Sequence, residues 1–156
     1  MDEKLKVSEK YLELRKKVLD YTNDDMNLKL ENDEQVYIAV FDIPTESNVV
    51  YSQVQTFALL FGLNTHIYFG NGDAITGLEK NEDVMKAMQS LFISCPQVLN
   101  KMQLVENAEY YNSKNIRAYL KTKRGLFFKE IKGDCKEDRF LVMLINNIRG
   151  CISKLM

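Results

Sequence analysis

The chain has 156 residues, 46% of them apolar and 28% charged, with 21 Lys and Arg against 22 Asp and Glu. That length predicts one domain over 1–156, burying roughly 70% of the unfolded chain's surface around a core that needs neither disulfides nor metal, and the composition excludes dominant disorder. The longest apolar runs, Phe57 to Phe61 and Phe140 to Ile145, fall far short of the roughly 18 residues of a membrane-spanning helix, and no membrane contact is expected.

From Glu3 to Tyr21 the residues Val7, Tyr11, Leu14, Val18 and Tyr21 recur at steps of four and three, which predicts an amphipathic N-terminal helix. Thr22-Asn23-Asp24-Asp25 ends it. Met26, Leu28 and Leu30 alternate with polar residues, Asn32 sits at a turn, and Val36 to Ile43 is almost wholly apolar. That pattern predicts a first hairpin whose second strand is buried on both faces. Pro44 stops this strand, Thr45, Ser47 or Asn48 can cap a helix, and Val50, Val54, Phe57 and Phe61 lie at helical spacing with Gly62 and Leu63 as the C-terminal cap. Thr65 to Phe69, the turn Gly70-Asn71-Gly72-Asp73 and Ala74 to Leu78 predict a second hairpin.

Asn81, backed by Glu82 and Asp83, starts a helix with the face Val84, Met88, Leu91 and Cys95. Pro96 breaks or restarts it, and a short helix is expected to about Gln103. After the polar stretch 107–112, Ile116 to Lys121, a turn at Lys123-Arg124-Gly125 and Leu126 to Ile131 predict a third hairpin. Lys136 to Lys154 predicts a largely buried C-terminal helix through Phe140, Leu144, Ile148, Cys151 and Leu155. The economical assembly is an α+β domain, a largely antiparallel sheet built from three hairpins, with helices packed on one face. The N-terminal helix is expected to pack within its own chain, as a monomer or a homodimer.

Net charge hides an asymmetry. Residues 1–112 carry ten basic and eighteen acidic side chains, net −8, whereas 113–156 carry eleven and four, net +7. Lys114, Arg117, Tyr119, Lys121, Lys123, Arg124, Lys129 and Lys132 are accordingly candidate nucleic-acid contacts, a cationic ribbon interleaved with aromatics that can follow phosphates and stack bases. The competing reading is neutralisation of this segment by the acidic remainder. Phe127 and Phe128 should point to opposite faces, and lysines on a ribbon also protect a sheet edge.

His66 is the only histidine, so histidine chemistry would need Asp42, at the end of its own strand, to approach it. The alternative is a structural strand histidine, with Asp42 capping the turn before Pro44. Gly70-Asn71-Gly72-Asp73 lacks the spacing of a phosphate loop, and Asp24-Asp25 and Asn32-Asp33-Glu34 lack the calcium-loop pattern. Cys95, Cys135 and Cys151 fit neither a disulfide framework nor a zinc pattern, and are expected as reduced thiols. Met1 to Lys6 has no basic region followed by an apolar one, so a cytoplasmic location is expected. No catalytic, cofactor-binding or metal-binding residues are expected. The sequence therefore favours a non-catalytic protein acting through protein contact, as regulator, adaptor or inhibitor. Nucleic-acid binding through the third hairpin is the alternative, and a ligand pocket between sheet and helices comes third.

Overall fold

The computed structural model describes residues 7–45, 53–61 and 64–155. Among the described residues, three α-helices and seven strands occur in the order α1 (Glu9–Asp20), β1 (Ile38–Pro44), β2 (Val54–Leu60), β3 (Asn64–Phe69), β4 (Ala74–Ile75), α2 (Glu82–Ser94), β5 (Gln103–Val105), β6 (Ile116–Thr122), β7 (Gly125–Ile131) and α3 (Lys136–Ser153). All strand pairs are antiparallel, in the order β4-β3-β2-β1-β6-β7-β5. The fold is α+β, with N-terminal and C-terminal helices.

Local chemistry sets the element ends. Ser8 caps α1 by accepting from the Tyr11 amide at 3.1 Å, and Asn81 caps α2 by accepting from the Val84 amide at 3.0 Å. At the other end of α1, Lys121 Nζ donates to the carbonyls of Leu19 and Tyr21 at 2.8 and 2.6 Å, meeting acceptors that a helix leaves free. Thr22 and Asp25 then exchange reciprocal backbone-to-side-chain bonds that turn the chain away.

Strand β1 lies at the centre, paired with β2 on one side and β6 on the other. Alternation divides the sheet's two faces. Ala39, Phe41, Leu59, Ile67, Leu120 and Phe127 face α2 and α3 in one core cluster. Ile38, Val40, Ala58, Leu60 and Tyr119 face α1 in a second. Phe127 and Phe128 point to opposite faces, as alternation requires.

Several expectations are corrected. The helices do not share one face: α2 and α3 do, while α1 covers the other. The hairpin turning at Asn32 does not form, because both edges of β1 are taken by β2 and β6. Met26, Leu28 and Leu30 instead pack as loop residues onto the α1 side. The stretch expected as a helix ending at Phe61 contains strand β2, and the proposed caps at Ser47, Asn48, Gly62 and Leu63 lie outside the described residues, as do Val50 and residues 1–6. The hairpin at Asn71 is present with a shorter second strand, since Leu78–Lys80 is a 3-10 turn. A 3-10 helix, Cys95–Lys101, with Pro96 in its first turn, gives way to strand β5, which alternation did not announce. The hairpin at Arg124 and helix α3 stand where expected, except that Leu155 lies beyond the helix end and is exposed rather than part of the buried face.

Candidate functional site

Cross-strand register lays Tyr68, Thr56, Asp42, Arg117 and Glu130 in one row across the α1 face. Asp42 is wholly buried. It accepts from Arg15 Nε at 3.1 Å, Arg15 Nη2 at 2.7 Å and Thr56 Oγ1 at 2.7 Å, and the Tyr11 phenol bonds Thr56 in turn. Arg15, on α1, also donates to the carbonyl of Ala108, with its guanidinium carbon 5.1 Å from the Tyr119 ring centre and 5.7 Å from that of Tyr110. Burial raises the Tyr11 phenol well above its ordinary pKa, and the Asp42 charge adds to this. For Arg15, burial works against the charge, but the Asp42 charge and hydrogen bonds outweigh it and hold the guanidinium more firmly protonated. The Tyr11 phenol and the Arg15 guanidinium are therefore each held in one protonation state. The arrangement keys α1 to the sheet.

Beside it, Arg117 is 1% exposed. Its Nη1 donates to the carbonyls of Ser113 and Asn115 at 3.1 and 2.8 Å, and its guanidinium carbon lies 5.5 Å from the ring centres of both Tyr110 and Tyr111. Glu130, its neighbour on β7, accepts from the Tyr111 hydroxyl at 2.6 Å, Asn115 Nδ2 at 2.8 Å and Ser113 Oγ at 3.0 Å. Hydrogen bonds from Asn115 and Tyr111 lower the Glu130 pKa. The connection 106–115 is thus strapped over β6 and β7 by two arginines and a glutamate.

The eight candidate nucleic-acid contacts are divided by this geometry. Arg117 and Tyr119 are buried beneath the strap and α1. Lys121 turns inward to the end of α1, where burial lowers its pKa. Lys129 pairs with Asp138 at 2.9 Å. Lys114, Lys123, Arg124 and Lys132 are exposed, although Arg124 pairs with Glu34 at 3.1 Å and lies 5.2 Å from the Phe127 ring centre. Lys123 and Arg124 occupy the β6–β7 turn, and Lys114 and Lys132 the far end of those seven-residue strands, about 23 Å away.

His66 and Asp42 do not meet. Asp42 pairs with Thr56 in register and His66 with Ala58, which places them two strands and two positions apart, roughly 12 Å. The imidazole stacks on Tyr68 with ring centres 5.8 Å apart, its Nδ1 is buried without a partner among the described residues, and burial lowers its pKa.

One group of ligand-type side chains escaped sequence reasoning. Asp134, Cys135 and Asp138 bring an oxygen or sulfur each within 4.8 Å of one another at the start of α3. Asp138 is already engaged there, accepting from the backbone amides of Lys132 and Gly133 at 3.0 and 3.1 Å and from Lys129. Burial would raise its pKa, but these bonds lower it. The group closes the β7–α3 junction. Tyr11, Arg15, Tyr110 and Glu130 were likewise missed, and only the alternation of Arg117, Tyr119 and Lys121 hinted at a shared face. Surface grooves among the described residues include one of about 560 Å³ at the ends of β2, β3 and β4 beside Thr45 and Asn71, and one of about 380 Å³ beside β5, with the Glu34–Arg124 pair on its rim. No protein-family model matches the chain, and neither does any curated protein or solved structure compared with it.

Proposed function

We propose that the protein works by binding another protein, without catalysis, as a regulator, adaptor or inhibitor in the cytoplasm. The observation that carries this reading is the outer side of the α2–α3 layer, where Ile93 is 77% and Met143 48% exposed. A polar helix surface would otherwise be expected at such positions. The fate of the charged groups supports it. Asp42, Arg15, Glu130, Lys121, Lys129 and Asp138 are each engaged internally, which leaves them committed to structure. The three free thiols accord with a reducing compartment. Nucleic-acid binding remains the second reading, resting on four exposed cations that stand in two pairs at opposite ends of a hairpin.

The test is capture from the native cell extract with tagged wild type and with Ile93→Lys/Met143→Lys. Both positions are exposed, so stability should stay within about 0.5 kcal/mol per substitution. The reading expects a stoichiometric protein partner that the double variant loses. A partner retained equally by both forms would refute it. So would a purified protein whose 260 to 280 nm ratio reports bound nucleic acid that salt removes.

A further inference from the structure

The connection 106–115 has no helix or strand, and none of the described backbone-to-backbone hydrogen bonds ties it to another segment. What holds it is side-chain chemistry: the buried Tyr110 ring set edge-on to Tyr11 with centres 5.5 Å apart, Arg15 on the Ala108 carbonyl, Arg117 on the Ser113 and Asn115 carbonyls, and Glu130 beneath Tyr111, Ser113 and Asn115. Tyr111 is 38% exposed. Arg117, by contrast, is almost fully buried, yet no carboxylate oxygen among the described residues lies within 4.0 Å of it and its Nε has no partner. Of its two acidic neighbours in register, Asp42 is held by Arg15 and Glu130 by the strap. A guanidinium taken out of water is ordinarily paired with a carboxylate. Here main-chain carbonyls and two tyrosine rings do that work.

We propose that the strap is a displaceable cover, and that the bed beneath it, formed by Arg117, Tyr119, Phe128 and Glu130, is the groove in which an extended, tyrosine-bearing segment of a partner protein docks. The strap itself displays the chemistry that seats there: carbonyls on Arg117, a phenol on Glu130, a ring against the guanidinium and against Phe128, whose centre lies 6.3 Å from that of Tyr111. Tyr110 is the one buried residue of 106–115 and no backbone ties add to it, so the segment opens at a fraction of the global unfolding cost. Being tethered, it competes with an outside ligand at an effective concentration in the millimolar range, so the closed form is autoinhibited. This inference rests on the reading of the protein as one that acts through protein contact, and it adds a second surface with its own chemistry.

The test uses the full chain carrying Tyr111→Ala and Asn115→Ala, which removes two of Glu130's three donors and leaves the bed intact. The probe is a fluorescent peptide with the sequence of 106–115, followed by anisotropy. The variant should bind it at least tenfold more tightly than wild type, and adding Glu130→Gln should weaken binding at least fivefold. Equal binding by wild type and a variant that circular dichroism shows folded overturns the proposal, as does indifference to Glu130→Gln. A variant that sediments as a strap-exchanged dimer overturns it too, since the occupant would be a second copy. Should the double variant fail to fold, Tyr111→Phe keeps the proposal exposed. It preserves the chymotrypsin site, and cleavage within the strap should quicken at least threefold with an unchanged melting temperature, whereas an unchanged rate overturns the proposal. Failure of either arm leaves the Ile93-dependent capture standing, so the two readings fail separately.

Discussion

Replacing Arg15 by Met breaks the buried pair from the helix side. The pair's side chains are 4% and 1% exposed, and the shortest contact is 2.7 Å. After the substitution Asp42 keeps only hydroxyl partners, Thr56 at 2.7 Å and Tyr11 at 3.5 Å. An uncompensated buried charge costs about 3–5 kcal/mol, a large share of the 5–15 kcal/mol typical of a domain. Urea titration at pH 7, followed by circular dichroism, should show the midpoint falling by about 2 M at a slope of about 2 kcal/mol/M. The double variant Arg15→Met/Asp42→Val should recover to within about 2 kcal/mol of wild type, because the Thr56 and Tyr11 hydroxyls can still satisfy each other once both charges are gone. A single-variant cost below about 1 kcal/mol, or a double variant that costs the sum of the singles, would refute the idea that this pair keys α1 to the sheet.

Three further outcomes are expected. Gly72→Ala should destabilise by at least about 1 kcal/mol in the same titration, since Gly72 has φ +97° and a Cβ would lie 3.0 Å from Ser8 Oγ and 3.2 Å from Lys10 Cβ, where α1 docks on the β3–β4 turn. Asn81→Ala should cost about 1 kcal/mol by removing the α2 cap, measurable as a lower midpoint at constant slope. Stability should fall in two stages on acidification. His66 has a folded pKa below its unfolded value near 6.5, so the unfolded chain binds its proton first and stability drops as pH falls below about 6.5, a stage that His66→Asn should abolish. Glu130 and Asp138 also have lowered folded values, so their contribution is complete above about pH 5 and is lost as pH falls through those values. Titrations from pH 3 to 8 that showed a rise in stability on acidification would contradict both stages.

What could be read from sequence was what local spacing decides. The face of α2, the Asn-Gly turn after β3 and the alternation of β6 are short-range patterns, and they place those elements correctly. Strand β2 shows why the remainder resisted. Val54 and Phe57 within it and Phe61 just after it satisfy a helical step, yet Thr56 to Leu60 are all buried because β2 is sandwiched between sheet neighbours and covered on both faces. Periodicity alone cannot separate such a strand from a buried helix. The same non-local pairing removed the expected partner of β1. Arg117 was legible as a cation on an alternating strand, but its burial depends on α1 and the strap arriving from about 100 residues and a few residues away respectively, and no run of charges encodes that.

Strand β1 is also a seam. The meander β1 to β4 and the β6–β7 hairpin are each built from neighbouring stretches of chain, whereas the pairs from Ile38↔Lys121 to Asp42↔Arg117 join residues 75 to 83 positions apart. Closing a loop of that size costs roughly 4 kcal/mol of chain entropy before any of the ladder's bonds are made. Long separation raises the contact order of the whole, so each half should acquire its strands first and the zipping of β6 onto β1 should be the slow event. Until it is complete, the inner edge of β1 stands open as an unpaired strand, and the nascent chain emerges with that edge uncovered until residues 116–122 have been synthesised.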